Sequence, residues 1–167
     1  QKAMVEELSK RAERVHNGID SSIDNMLKIT SDGRKLGLDQ RLINPMLPDE
    51  PGTKVNMCVA NVLQQWRDGD ADKLTQLIFC DVSTPTGKQT NPDTNSPFTN
   101  IYDDIRQKLI AGGMAPEQIA FIHSANSDVQ KKELFAKVRS GQVRVLIGST
   151  QKMGAGTNIQ NRLIALH

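Results

Sequence analysis

The 167-residue chain lacks most of the side-chain groupings on which catalysis and metal binding depend. It has two cysteines and three histidines, and no pair among them has the spacing of metal ligands. It contains no Gly-x-x-x-x-Gly-Lys-Ser/Thr phosphate loop, no Asp-Glu pair at a strand end to hold magnesium, and no serine in a nucleophile-elbow context. We therefore predict no catalytic residue and no metal ligand in this chain.

The chain is also poor in features that mark membrane proteins and base-stacking proteins. Only 4% of its residues are aromatic, so stacking on nucleic-acid bases is not expected to be a main mode of binding. No apolar run approaches the roughly 20 residues that span a bilayer, and no membrane partner is expected. Cys58 and Cys80 lie in apolar segments and are predicted to be buried, reduced thiols, which fits a cytoplasmic protein.

What is present is the composition of an ordinary globular domain, with 37% hydrophobic and 24% charged residues. The formal net charge of +2 is small, but a local basic face could still bind phosphate. The length suffices for one domain with its own core. The chain begins at Gln1 without a methionine and stops at His167 directly after an apolar run, so we interpret it as a piece of a longer protein.

Residues 1–66 are predicted to form a helical segment. Apolar residues recur at helical spacing over residues 1–17, in short pieces over 25–43, and over 54–66. Ser31 or Asp32 is a candidate cap for the second short helix of the middle stretch. The first helix either packs on its own domain or connects to an upstream domain, and the sequence leaves both readings open.

From residue 73 onward the pattern changes to alternating strands and helices. Strands are predicted over residues 75–80, 119–122, 143–148 and 163–166, and helices over 101–110 and 128–139, with a long loop over 83–100. Gly112-Gly113 and Ser140-Gly141 are predicted to end the two helices. Strands separated by helices indicate an α/β fold with a parallel sheet, in which right-handed crossovers place the strand-end loops on one common edge.

Three strands of this sheet are followed by small polar residues. The segments are Cys80–Thr84, His123–Asn126 and Ser149–Lys152. Hydroxyls and backbone amides contact nucleic-acid phosphates without reading base sequence, and ligands of open α/β sheets lie beyond the carboxyl ends of the strands. The stretch from Ser124 to Ser127, which overlaps the second segment, could instead simply cap the next helix. The repetition over three successive strands favours a phosphate site.

The third of these segments, together with the residues that follow it, resembles a motif of a known protein family. Ser149-Thr150-Gln-Lys-Met-Gly154-Ala-Gly156-Thr-Asn158-Ile159 resembles motif V of Swi/Snf-type superfamily-two helicases, which typically reads Ser-Thr-Arg-Ala-Gly-Gly-Leu-Gly-Ile-Asn-Leu. Leu77–Cys80 is similar to motif IV, and Phe121–Ser124 with Gln130–Gly141 is similar to the next strand, turn and helix. The resemblance covers about residues 73–167. It is strongest to the large helicase-like proteins of bacterial phages, plasmids and conjugative elements, which often carry an adenine-specific DNA methylase domain.

The resemblance implies the second RecA-like lobe of an ATP-dependent DNA helicase or translocase. ATP with magnesium would bind in a cleft between this lobe and an upstream ATPase lobe of the same chain, and DNA would be the partner. Carried over by position, the nucleic-acid contacts would be Ser124, Ser149, Thr150, Gln151 and Lys152. The nucleotide contacts would be Gly154, Gly156 and Asn158, although both glycines could also be plain turn residues.

The sequence departs from the family pattern at several positions. Ser124 replaces the usual glycine, and Lys152 and Met153 replace alanine and glycine. Lys152 would either contact phosphate or merely solvate its loop. The 167 residues do not include the motif VI arginines, which in related enzymes stabilise the transferring phosphoryl group, so we expect this chain alone to be inactive and to hold no nucleotide.

Three other interpretations remain. The first is a non-catalytic docking module that keeps the fold without the chemistry. The second is the lobe of an RNA helicase, which Gly156-Thr-Asn158 disfavours because those enzymes commonly place aspartate there. The third is a Rossmann domain, which is disfavoured because the glycines follow the third strand instead of the first.

Overall fold

Six α-helices and four strands are formed by the residues that the computed structural model describes, which are 2–85, 98–154 and 158–167. The helices are α1 (Lys2–His16), α2 (Met26–Leu38), α3 (Lys54–Asp68), α4 (Ile101–Ala111), α5 (Asp128–Ser140) and α6 (Thr150–Met153). The strands are β1 (Thr75–Phe79), β2 (Ile119–Phe121), β3 (Val145–Gly148) and β4 (Leu163–Leu166). The predicted α/β fold, with helices preceding the sheet, is confirmed.

The four strands form one parallel sheet in the order β2-β3-β1-β4. Gln76 of β1 is in register with Val145 of β3 on one side and with Ala165 of β4 on the other. Because all pairs are parallel, the carboxyl ends of the strands lie on one edge of the sheet. This is the edge at which the sequence predicts a phosphate site.

The sheet is covered on both faces, and the side chains of its strands alternate between two cores. Ile78 and Ile147 face the core formed with α3 and α4, where Val62 and Leu109 are fully buried. The opposite core contains Leu77, Ile122, Val138, Val143, Leu146, Met153 and Ile159. Helix α3 therefore shares a core with the strands, and a domain boundary between residues 66 and 73 stays a prediction.

Arg144, at the start of β3, fixes α3 to the amino edge of the sheet. Its guanidinium is 1% exposed and donates to the carbonyl oxygens of Trp66, Gly69 and Leu74 at 3.1, 3.0 and 2.6 Å. It also pairs with a carboxylate oxygen of Asp70 at 2.9 Å. A cation at a helix C-terminus satisfies carbonyls that have no partner within the helix. Nothing in the local sequence around Arg144 indicates this role.

The structure corrects the prediction for residues 25–43. Most of this stretch is one helix, α2, capped by Asn25, whose side-chain oxygen accepts from the N–H of Lys28 at 2.9 Å. Ser31 and Asp32 both lie within the helix, so neither caps it, and the carboxylate of Asp32 pairs with Arg11 of α1 at 2.9 Å. Arg11 also holds Asp24 at 2.6 Å, and this hydrogen bond lowers the pKa of Asp24 to about 2.

Smaller differences concern the ends of strands and helices. Ile122 begins a 3₁₀ turn, Ile122–Ser124, instead of ending β2, and the segment after β3 forms the short helix α6 where a loop was predicted. Gly141 ends α5 in the left-handed region with a φ of 76°, as its position in the sequence predicts. Of the long loop predicted over 83–100, the part from 86 to 97 lies outside the described residues. Within the ranges described, no helix is long and apolar enough to cross a membrane.

Candidate functional site at the carboxyl edge of the sheet

The loops that follow β1, β2 and β3 meet at the carboxyl edge. The N–H of Cys80 donates to the carbonyl of Gly148 at 2.9 Å, which joins the ends of β1 and β3. Tyr102 of α4 donates its hydroxyl hydrogen to the Cys80 carbonyl at 2.6 Å, and its ring lies edge-on to the ring of His123, 5.3 Å between centroids. Tyr102 thus connects the first loop to the second, and the predicted convergence of the loops is confirmed.

Thr150 is paired with Asp81, which is not among the predicted site residues. Its backbone N–H donates to Oδ1 of Asp81 at 2.7 Å, and its hydroxyl donates to Oδ2 at 2.8 Å. Both residues are exposed. The carboxylate occupies two donors that the resemblance assigns to a DNA phosphate, so a phosphate at Thr150 has to take the place of Asp81. The signal available in the sequence is an acidic residue two positions after a buried strand.

Ser149 and Gly154 bound helix α6. Ser149 is 8% exposed and caps the helix, since its hydroxyl oxygen accepts from the N–H of Lys152 at 3.4 Å. The N–H of Gly154 donates to the carbonyl of Thr150 at 2.7 Å. A Cβ on Gly154 would lie 2.6 Å from that carbonyl oxygen, so the glycine permits a close approach within its own turn. Both residues therefore have a structural role, and their contacts with ligands stay predictions.

Gln151 and Lys152 are exposed on α6, which contacts the 3₁₀ turn Ile122–Ser124 that follows β2. The pKa of His123 lies below its ordinary value, first because the imidazole is buried and second because the Lys152 ammonium is close. Nδ1 of His123 is buried and has no hydrogen-bond partner among the described residues. Lys152 of the third strand-end loop therefore lies close enough to His123 of the second to disfavour the protonated imidazole.

Ser124 is exposed at the mouth of a groove of about 420 Å³ that runs along β2 and is lined by Arg106, Gln130 and Lys137 among others. Helix α5 is capped by Ser127, which forms a capping box with Gln130. Ser124 is therefore not needed as a cap. Its hydroxyl makes no hydrogen bond within the part of the chain that the structure describes, so it is free to contact a ligand.

The residues predicted to face the nucleotide are located only in part. Asn158 is exposed, and its backbone carbonyl accepts from Arg139 of α5 at 3.0 Å. Gly156 lies in the stretch 155–157, which is outside the described residues. Gly154 follows the last residue of α6. That the three residues together contact a nucleotide therefore stays a prediction.

The two thiols are unpaired. Burial raises the pKa of Cys58 to about 11 and raises that of Cys80. Cys80 is buried and Cys58 is half-buried, so both thiols stay protonated and unreactive at neutral pH. Among residues 2–85, 98–154 and 158–167, no three His, Cys, Asp or Glu side chains lie close enough together to hold a metal ion.

Half of the chain is similar to a DNA helicase. Over 84 residues it is 27% identical to the ATP-dependent DNA helicase Hel308 of Thermoplasma acidophilum, a match that covers 50% of this chain and 12% of that protein. No family model and no solved structure matches the chain. The similarity, together with the parallel sheet, supports a helicase-related lobe. The finer resemblance to Swi/Snf-type and methylase-linked proteins stays a prediction.

Proposed function

We propose that this chain is the second RecA-like lobe of an ATP-dependent DNA helicase or translocase. Its carboxyl edge would hold the phosphates of a DNA strand, and the segment from Gly154 to Asn158 would face ATP bound between two lobes. The observation that carries the proposal is the meeting of three polar strand-end loops on one edge of a parallel sheet. The partial similarity to a DNA helicase supports it.

On the DNA side, the exposed groups are the hydroxyl of Ser124, the amide of Gln151 and the ammonium of Lys152. These are side chains that position a phosphate backbone without reading sequence. Thr150 is already hydrogen-bonded to Asp81, so it would contribute once Asp81 is displaced. The hydroxyl oxygen of Ser149 accepts from the N–H of Lys152, which leaves its hydroxyl hydrogen to donate to a phosphate. Lys152 supplies the charge that attracts the strand.

On the nucleotide side, Gly154, Gly156 and Asn158 would contact ATP in the whole protein. Small residues and an amide suit a loop that lies against a nucleotide, but they supply no magnesium ligand. Among the described residues no cluster of acidic side chains is placed to hold magnesium. We propose that an upstream ATPase lobe of the whole protein supplies the magnesium site and the phosphate loop, as the resemblance implies.

The test is binding of a fluorescein-labelled DNA oligonucleotide to the chain, measured by anisotropy over a series of salt concentrations. Lys152→Gln should weaken binding and reduce the slope of log K against log salt by about 1, the value for one lost phosphate contact. Arg67→Gln is the matched control, because it removes one exposed positive charge at the amino edge. Equal effects of the two changes would contradict the proposed site.

The rival proposal, a docking module that retains the fold, also has an observation in its favour. The donors of Thr150 are satisfied by Asp81, and Ser149 serves as a helix cap, so neither depends on a ligand. A docking module would give no oligonucleotide binding even at low salt. An RNA helicase lobe would bind an RNA oligonucleotide more tightly than DNA of the same sequence, and the same measurement includes that comparison.

A further inference from the structure

Helix α2 presents a polar and basic face to the loop that follows β1. The α2 residues on this face are spaced as one helical stripe: Leu27, Thr30, Ser31, Arg34 and Lys35. Across from them lie Asp81, Val82 and Ser83, and the groove between has a volume of about 470 Å³. The stripe from Leu27 to Arg34 is about 10 Å long at 1.5 Å per residue, more than a single phosphate group occupies.

Arg34 is the uncompensated charge of this groove. Its side chain is exposed and forms no ion pair within the described ranges of the chain. Lys35 lies 3.9 Å from Asp32, which also accepts from Arg11 at 2.9 Å. The acid on the other wall, Asp81, directs both carboxylate oxygens to Thr150.

The two hydroxyl groups near Arg34, those of Thr30 and Ser31, differ in whether they can donate a hydrogen bond to a ligand. Thr30 donates its hydroxyl hydrogen to the carbonyl of Met26 at 2.7 Å, so it presents a lone pair to the groove. Ser31 has no such bond among the described residues and can donate. A guanidinium next to a hydroxyl donor one turn away is a combination suited to a phosphodiester, because arginine can bind two phosphate oxygens at once.

We infer that this face of α2 is a second contact for the DNA backbone, with Arg34 and Ser31 as the residues that bind phosphate. The inference rests on the proposed function, which it extends from the strand ends to a helix that precedes the sheet. Asp81 makes the two surfaces continuous, since it lines the groove of α2 and binds Thr150 at the carboxyl edge. One DNA strand then passes from Lys152 to Arg34, and the carboxylate of Asp81 between them opposes its binding until it is displaced from Thr150.

The experiment compares Arg34→Gln, Lys152→Gln and Arg14→Gln in the oligonucleotide assay. Arg14 is an exposed arginine on α1 that pairs with Glu7, so its loss changes the net charge equally without touching the groove. We expect Arg34→Gln to weaken DNA binding several-fold and to reduce the salt slope by about 1, with Arg14→Gln close to wild type. Circular dichroism and urea unfolding establish that each variant is folded.

The outcomes separate the two proposals. If Lys152→Gln weakens binding but Arg34→Gln behaves like Arg14→Gln, the contact on α2 is wrong and the strand-end site stands. If only Arg34→Gln weakens binding, the strand-end site is wrong and the α2 contact stands. If the wild-type chain binds no DNA at low salt, both fail together.

Discussion

Thr150 and Asp81 are joined by two hydrogen bonds of 2.7 and 2.8 Å, which link the segment after β3 to the segment after β1. The carboxylate receives the backbone N–H and the hydroxyl of one residue, much as two oxygens of a phosphate would. It is thus both a structural link and an obstacle to an anion. Removing the carboxylate should therefore lower the stability of the fold and raise the affinity for an anion.

Asp81→Ala should lower the free energy of unfolding by about 1 kcal/mol, the usual net contribution of exposed hydrogen bonds of this kind. It should also raise the affinity for DNA, because a negative charge is removed beside Thr150. Urea unfolding and oligonucleotide anisotropy measure the two effects. Asp72→Ala, an equal charge change in an exposed residue at the amino edge, should leave DNA affinity near that of wild type. A lower affinity for Asp81→Ala would mean that Asp81 positions Thr150 for DNA.

Lys152→Gln should raise the pKa of His123. The ammonium disfavours the protonated imidazole, so its removal brings the pKa nearer to the ordinary value of 6.5, while the larger effect of burial remains. A proton NMR titration of the imidazole signals measures the change. His167 is an internal reference, because its pKa is lowered by burial alone and should not respond. An unchanged midpoint for His123 would show that Lys152 does not lie near the end of β2.

The same histidines predict a dependence of stability on pH. Each has a pKa in the folded state below its unfolded value, so the unfolded chain binds more protons between the two values. Stability should therefore be complete above about pH 6.5 and decrease as the pH falls from there through the folded pKa values. Urea unfolding at pH 7.5 and at about pH 5 tests the direction. His123→Gln should reduce the difference, and a stability that rises toward pH 5 would contradict the assignment.

Gly154→Ala should destabilise the chain by about 1–3 kcal/mol, because the added Cβ would lie 2.6 Å from the carbonyl oxygen of Thr150. Gly37→Ala is the matched control, since a Cβ at that position of α2 meets no atom within 4 Å. That change should stabilise the helix by roughly 0.5–1 kcal/mol through propensity alone. Chemical unfolding of both variants gives the comparison. Equal effects would mean that the turn at Gly154 tolerates a side chain.

Arg144→Met should lower the free energy of unfolding by about 3 kcal/mol, because the carbonyls of Trp66, Gly69 and Leu74 lose a charged donor in a buried place. Arg67→Met is the control, with one long contact of 3.4 Å to the Gly112 carbonyl at the surface. It should change stability by less than about 0.5 kcal/mol. A small effect of Arg144→Met would show that α3 is held to the sheet by apolar packing alone.

Much of the architecture follows from local pattern. The apolar run that contains Leu146 predicts β3 because a buried strand needs only apolar side chains. Gly141 predicts the end of α5 because the left-handed turn there depends on that residue alone. Asp32 was misassigned as a cap because its partner, Arg11, lies on another helix. Asp81 and Arg144 were missed for the same reason. Their roles arise from contacts across about 70 residues of chain, and although the position of Asp81 after a buried strand is a local signal, no local pattern identifies the partner.

The order of the strands also has a consequence for how the chain folds during synthesis. Strand β1 leaves the ribosome first, but its two neighbours in the sheet are β3 and β4, which come much later in the sequence. Strand β1 therefore has no strand partner until β3 and β4 have been made, although Ile78 can already pack against α3. Closing such distant pairs is slow, and an unpaired apolar strand is a point of misassembly. Chains interrupted before residue 145 should accordingly be the ones that chaperones retain.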